Sequence, residues 1–239
     1  MVTAPEQTRV TRELSADLAG AALALARRFS AGATMWCIAP TFAPHAQHIA
    51  VEFVHPVIVG KRALPAVALT GPDLTGQVRV SARPGDVVIA VAGSAEPQVL
   101  DVMRRGPAWG VTTVWIGNGH PPQIGAADHV LWLDDPDPRL PATGDFVLMY
   151  HLLWELTHVC FEHPGLLTAP AQDCTEEVCI TCSDEGRLAE VIAARPDGTA
   201  MVRSASGAES VVTALTGALV PGDLILVHAG MAISKVSEQ

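Results

Sequence analysis

The stretch Asp86-Val87-Val88-Ile89-Ala90-Val91, then Val99-Leu100-Asp101-Val102-Met103-Arg104-Arg105, then Thr113-Val114-Trp115-Ile116 decides the fold. The first and last runs are short and mostly apolar, as buried strands are. The middle run has helical spacing. Strand, helix and strand in succession argue a parallel sheet flanked by helices. Working outward, Met35–Ile38, Ala66–Leu69 and His129–Leu133 are further short apolar runs of the same kind. Thr11 to Ser30 carries Leu14, Leu18, Ala21, Ala22 and Leu25 at three- and four-residue steps and reads as an amphipathic helix. Ala43 to Phe53 resumes helical spacing after Pro40 and Pro44, and Phe146 to Phe161 closes the region with one more long helix.

Past Phe161 the texture changes to Pro164, Gly165, Pro170 and the polar run Gln172-Asp173-Cys174-Thr175-Glu176-Glu177. This composition places a first domain at 1–165, a linker at 166–178 and a second domain at 179–239. Leu188–Ala193, Ala200–Arg203, Glu209–Thr213 and Leu224–His228 are short strands separated by the turn signals Asp197-Gly198, Ser206-Gly207 and Pro221-Gly222-Asp223. A β module of about 60 residues is a size at which a hydrophobic core alone is marginal.

A chain of 239 residues with 49% hydrophobic and 17% charged residues buries a sizeable core, which excludes a disordered protein. The longest early uncharged run, Leu18 to Ala26, is bracketed by Asp17 and Arg27, far short of the ~18–20 apolar residues of a membrane span. Glu6, Arg9, Arg12, Glu13 and Asp17 do not make the basic, acid-free start of a signal peptide, so a cytoplasmic protein is expected, with no membrane partner. Fifteen Lys and Arg against 25 Asp and Glu give a net charge of −10, which removes the footprint of nucleic-acid binding. The cysteine count of 5 is odd, and Cys174, Cys179 and Cys182 crowd together, which points to metal or redox chemistry rather than a disulfide framework. Cys179-Ile180-Thr181-Cys182 can share a soft metal, but one such pair cannot close a four-thiolate zinc site. An open or shared site, a redox pair and two unligated thiols all remain open.

The segment Pro221-Gly222-Asp223-Leu224-Ile225-Leu226-Val227-His228-Ala229-Gly230-Met231-Ala232-Ile233-Ser234, with Glu185 to Val191 before it, resembles the HypC/HupF family of hydrogenase maturation chaperones. That resemblance implies a small OB-like β-barrel that passes an iron with cyanide and carbonyl ligands from a HypD-like scaffold to the precursor of a [NiFe]-hydrogenase large subunit. The implied cargo ligands are Cys179 and His228, with Cys182 assisting. The family's cysteine usually follows the initiator Met, whereas here it is internal.

Residues 10–165 resemble the SIS-domain sedoheptulose 7-phosphate isomerases, through Ala46-Gln47-His48-Ile49-Ala50-Val51-Glu52-Phe53, Leu64-Pro65-Ala66-Val67-Ala68-Leu69-Thr70 and Tyr150-His151-Leu152-Leu153-Trp154-Glu155-Leu156. The resemblance implies a parallel sheet between helices, assembled into a homo-oligomer. His48, Glu52 and His151 match positions that in this family supply the base, the acid and, in some members, a bound zinc. Two imidazoles and a carboxylate suit zinc or ferrous iron. His45, His55, Glu155, His158 and Glu162 lie near the same stripes and are left outside the site. The family's phosphate loops, Gly-Asn-Gly-Gly-Ser and Ser-Thr-Ser-Gly-Asn-Ser, are replaced by Ile38-Ala39-Pro40-Thr41-Phe42 and Ala90-Val91-Ala92-Gly93-Ser94-Ala95. Proline donates no N–H and Phe42 crowds the place, so phosphosugar isomerisation is not expected. The sequence reading is therefore a non-enzymatic assembly factor, a HypC-like module on a degenerate SIS domain. The rivals are a sugar-phosphate isomerase and a phosphosugar-binding regulator.

Overall fold

The structure is a computed structural model, and it describes residues 12–133, 144–168 and 186–236. Strands β1 (Met35–Ile38), β2 (Ala66–Leu69), β3 (Val87–Val91), β4 (Thr112–Asn118) and β5 (His129–Leu133) form one sheet in the order β2-β1-β3-β4-β5. Every pairing in it is parallel. The helices are α1 (Arg12–Ser30), α2 (Pro44–Val54), α3 (Leu74–Ser81), α4 (Pro97–Trp109) and α5 (Gly144–Glu162).

Side chains alternate across a strand, so each apolar run supplies both faces. Met35, Cys37, Val87, Ile89, Val114 and Ile116 pack with α1, α2 and α5. Ile38, Val88, Ala90 and Trp115 pack on the other face with α3 and α4. All five residues of β3, the central strand, are buried, which is why that run carries no charge. The sheet is thus the expected helix-flanked parallel one. The chain runs from β1 outward to β2 and then back to β3 on the other side. This reversal opens a crevice between the loops that leave the carboxyl ends of β1 and β3.

Strands β6 (Arg187–Ala194), β7 (Thr199–Ser204), β8 (Gly207–Val212), β9 (Leu224–His228) and β10 (Met231–Lys235) close a small barrel. Neighbours in it are antiparallel except for β8 and β10, which meet in parallel at Val212 and Met231. Ala189, Val191, Val202, Val211, Ile225 and Val227 fill its interior. The barrel docks on α3 and α4 through Glu190, whose side chain is 1% exposed and takes Arg105 Nη1 at 2.8 Å and Arg79 Nε at 3.2 Å. No helix among the described residues is long and apolar enough to cross a membrane.

Candidate metal and acid–base site

Helix α2 starts at Pro44, whose fixed φ and missing N–H suit the first turn of a helix. His45, Ala46, Ile49, Ala50 and Phe53 form its buried stripe. His48 and Glu52 lie one turn apart beside that stripe and therefore reach the same neighbour. That neighbour is α5, which buries Phe146, Met149, Tyr150, Leu153 and Trp154 and presents His151 at the edge of its apolar side.

The three sequence-predicted ligands converge. His48 Nε2 is 3.2 Å from Glu52 Oε1, His151 Nε2 is 3.3 Å from His48 Nε2, and His151 Nε2 is 3.5 Å from Glu52 Oε1. A tetrahedral ion with bonds of about 2.0–2.1 Å separates its ligand atoms by about 3.3 Å, so the triangle has the dimensions of one face of a zinc site. Among the described residues it is the one group of three or more such side chains close enough to share an ion. Exposures of 39% for His48, 21% for Glu52 and 42% for His151 leave a side open to solvent, where a fourth ligand or a substrate can enter.

Tyr150, which the sequence reading quoted in a motif but did not place in the site, completes the support. Its hydroxyl lies 2.9 Å from His48 Nδ1, and burial followed by the nearby Glu52 carboxylate pushes its pKa up to about 12. The phenol orients the His48 ring, and where it accepts from Nδ1–H it leaves Nε2 for the cluster. The signal available in the sequence was its place beside His151, in a helix otherwise apolar at that point.

The crevice at the ends of β1 and β3 adjoins this cluster. Thr41, Phe42, His45, Val91, Ala92, Gly93 and Phe146 line a cavity of about 40 Å³ there. The His45 ring sits edge-on to Phe42 at 5.1 Å, to Phe146 at 5.6 Å and to Tyr150 at 5.9 Å, joining crevice to cluster.

His158, Glu155 and Glu162, left outside the site, have structural partners. His158 meets the carbonyls of Trp154 at 2.9 Å and Arg62 at 3.0 Å. Glu162 and Glu155 face Lys61 at 2.6 and 3.9 Å. In the barrel, His228 is half-buried at the end of β9, opposite Met231. Cys174, Cys179, Cys182 and most of the expected linker lie outside the described residues.

No protein-family model matches the chain. It is 32% identical over 148 residues to a phosphoheptose isomerase of Nitratidesulfovibrio vulgaris (strain Miyazaki F), covering 54% of this chain and 70% of that protein. It is 28% identical over 180 residues to a phosphoheptose isomerase of Desulfovibrio desulfuricans, covering 68% and 82%. Among solved structures, a phosphoheptose isomerase from Francisella tularensis superposes with a TM-score of 0.52 at 15% identity, covering 63% of this chain and 88% of that one. One from Neisseria gonorrhoeae gives 0.50 at 17% identity, covering 62% and 87%. At such identities the likeness shows the helix-flanked sheet.

These likenesses correct the expectation of a hydrogenase maturation chaperone with an iron cargo, because the curated relatives are isomerases by name. The motif behind that expectation has a simpler physical content. Pro221-Gly222-Asp223 makes a turn with Gly222 at φ 93° and the Asp223 carboxylate accepting from Val220 N–H at 2.9 Å. Ala229-Gly230 is the two-residue turn between β9 and β10, with φ of 47° and 76°. The two turns account for Gly222, Asp223 and Gly230 without any cargo.

Proposed function

The chain belongs to the phosphoheptose isomerase family, and on that premise we propose that it interconverts the aldose and ketose forms of a heptose at His48, Glu52 and His151. The triangle of ligand atoms with sides of 3.2, 3.3 and 3.5 Å, held between α2 and α5, carries this reading.

Isomerisation moves a proton from one carbon to its neighbour while a hydroxyl proton passes to the carbonyl oxygen, and a positioned acid and base accelerate both transfers. Both imidazole contacts of Glu52 run through Oε1, which leaves Oε2 to take the carbon-bound proton and return it one carbon away. His151, the most exposed member, serves the two oxygens. Tyr150 orients the His48 ring through Nδ1. A divalent ion held by the three side chains would occupy His151 Nε2 and would itself supply Lewis-acid polarisation of the substrate carbonyl. Val51, Leu148 and Leu152, exposed by 55%, 52% and 37%, stand on the same two helices as the cluster. A second copy of this chain seated on that face excludes water from the proton transfer.

Purified protein stripped of metal and reloaded with Zn²⁺ is incubated in D₂O with sedoheptulose 7-phosphate and with sedoheptulose, and deuterium on carbon is followed by NMR. Incorporation that disappears in Glu52→Gln supports the reading. No incorporation into either sugar at full zinc loading overturns it.

A further inference from the structure

The seam between α4 and the barrel holds a cavity of about 270 Å³ on the far side of the sheet from the His48 cluster. Arg104 and Arg105 of α4 line it, together with Gly222, Asp223, Leu224 and Lys235 of the barrel. We propose that this cavity binds a small dianion, a phosphate or a dicarboxylate, which fastens the barrel to α4. The proposal is independent of the chemistry at the cluster.

Charge argues first. Three of the lining side chains are cations and one is an acid, in a chain whose net charge is −10. The acids that pair with the two arginines, Asp101 and Glu190, do not line the cavity, and Glu190 is shared with Arg79 of α3 at 3.2 Å. Among the described residues four cations, Arg79, Arg104, Arg105 and Lys235, thus meet three acids, Asp101, Glu190 and Asp223, at the seam.

The donors are also fixed in advance. Arg104 Nη2 and Arg105 Nε both donate to Asp101 Oδ1 at 2.9 Å, one turn earlier on the same helix. Arg105 Nη1 donates to Glu190 Oε1 at 2.8 Å and to the Gly222 carbonyl at 2.7 Å. Its Nη2 has no partner among the described residues. A guanidinium so held keeps that amino group for an oxyanion in the cavity it lines. From the barrel, Lys235 Nζ lies 2.7 Å from Asp223 Oδ1, which uses one of its three donors. The other Asp223 oxygen accepts from Val220 N–H at 2.9 Å, so this acid is already committed. In size the cavity equals about nine waters, room for a small organic anion. An anion that touches Arg104 and Arg105 on one side and Lys235 on the other ties the two domains together.

Calorimetric titration of the full chain with inorganic phosphate and with malonate tests this, using wild type, Arg104→Gln/Lys235→Gln and Asp223→Asn. Arg104 and Lys235 are 32% and 50% exposed, and replacing them leaves the bonds of Arg105 to Glu190 and Gly222 in place, so the double variant keeps its seam. Wild type is expected to bind at least one of the two anions saturably, with a Kd of about 1 mM or tighter at low salt. The tighter of the two names the ligand class. The double variant, folded by circular dichroism, should lose about tenfold or more in affinity. Asp223→Asn removes the acid from the lining while keeping an oxygen for Val220 N–H, and it should bind more tightly than wild type. No saturable binding of either anion by wild type overturns the proposal, and so does weaker binding by Asp223→Asn. A folded double variant that binds as tightly as wild type also overturns it, because the anion then sits elsewhere.

Discussion

Tyr150 keeps its proton throughout the neutral range, since burial and the Glu52 carboxylate hold its pKa near 12. Its hydroxyl is therefore a fixed neutral partner for His48 Nδ1 at 2.9 Å. Tyr150→Phe removes that partner and little volume, so the helix packing survives while the ring loses its orientation. Losing such an outer contact lowers metal affinity about 10–100-fold. Competition for Zn²⁺ against a chromophoric chelator measures it, and an unchanged affinity would show that packing alone holds the ring. His48→Ala and Glu52→Ala remove a ligand each, and both are expected to lower zinc content by elemental analysis while leaving the thermal transition intact. Equal zinc in wild type and both variants would mean that the triangle holds no ion.

The strands of the sheet were legible because each is a short apolar run with both faces buried, and β1, β2 and β5 begin and end at the residues read from the sequence. Two elements were not. Helix α3 buries only Leu74 and Val78, contains Gly76 and β-branched residues, and relies on the Asp73 carboxylate accepting from Gly76 N–H at 2.8 Å. Strand β10 buries only Ala232 and pairs from a two-residue turn, so no apolar run announces it. The candidate residues His48, Glu52 and His151 came from the resemblance to the isomerases, with His48 and Glu52 one turn apart on one helix, whereas the contact of Tyr150 with His48 is one that only the folded chain brings about. The β9–β10 turn gives a prediction of its own. Ala229 sits at φ 47°, which costs a residue with a side chain about 1–2 kcal/mol that glycine avoids at some entropic cost. Ala229→Gly is expected to stabilise the barrel by up to about 1 kcal/mol, read as a higher melting temperature, and a lower one would refute the strain. Across β6 and β8, Arg187 Nε donates to Glu209 Oε1 at 3.0 Å, and this bond draws the Glu209 carboxyl below its usual range. A depressed carboxylate contributes stability that is present above its unfolded pKa of about 4.3 and lost as pH falls through the lower folded value. The melting temperature of the wild-type barrel should accordingly fall more steeply below about pH 4 than that of Glu209→Gln.

The His48–Glu52–His151 cluster and the barrel sit on opposite faces of the sheet, one with α2 and α5, the other against α3 and α4. What joins the barrel to the sheet is polar. Glu190 accepts from Trp109 Nε1 and Arg105 Nη1, both at 2.8 Å, and Arg105 also donates to the carbonyl of Gly222 at 2.7 Å. Arg203 donates back to the carbonyls of Arg79 and Ala82 at 2.5 and 2.7 Å. In the sequence Glu190 is one acid inside an apolar strand, and nothing marks it as an anchor until Trp109 and Arg105 arrive from another domain. Glu190→Ala leaves the buried Trp109 N–H without its acceptor and Arg105 with only Asp101 and the Gly222 carbonyl. Removing one partner of a buried pair costs about 3–5 kcal/mol, more than the roughly 0.5–1.5 kcal/mol of an ordinary hydrogen bond. The loss falls on the seam rather than on either core, so the wild type should melt in one calorimetric transition and Glu190→Ala in two, the barrel first. Because the sheet lies between the seam and the cluster, zinc affinity should be the same in both proteins. A single, uniformly lowered transition would mean that Glu190 stabilises the barrel alone, and a fall in zinc affinity would mean that the barrel reaches the site through the sheet.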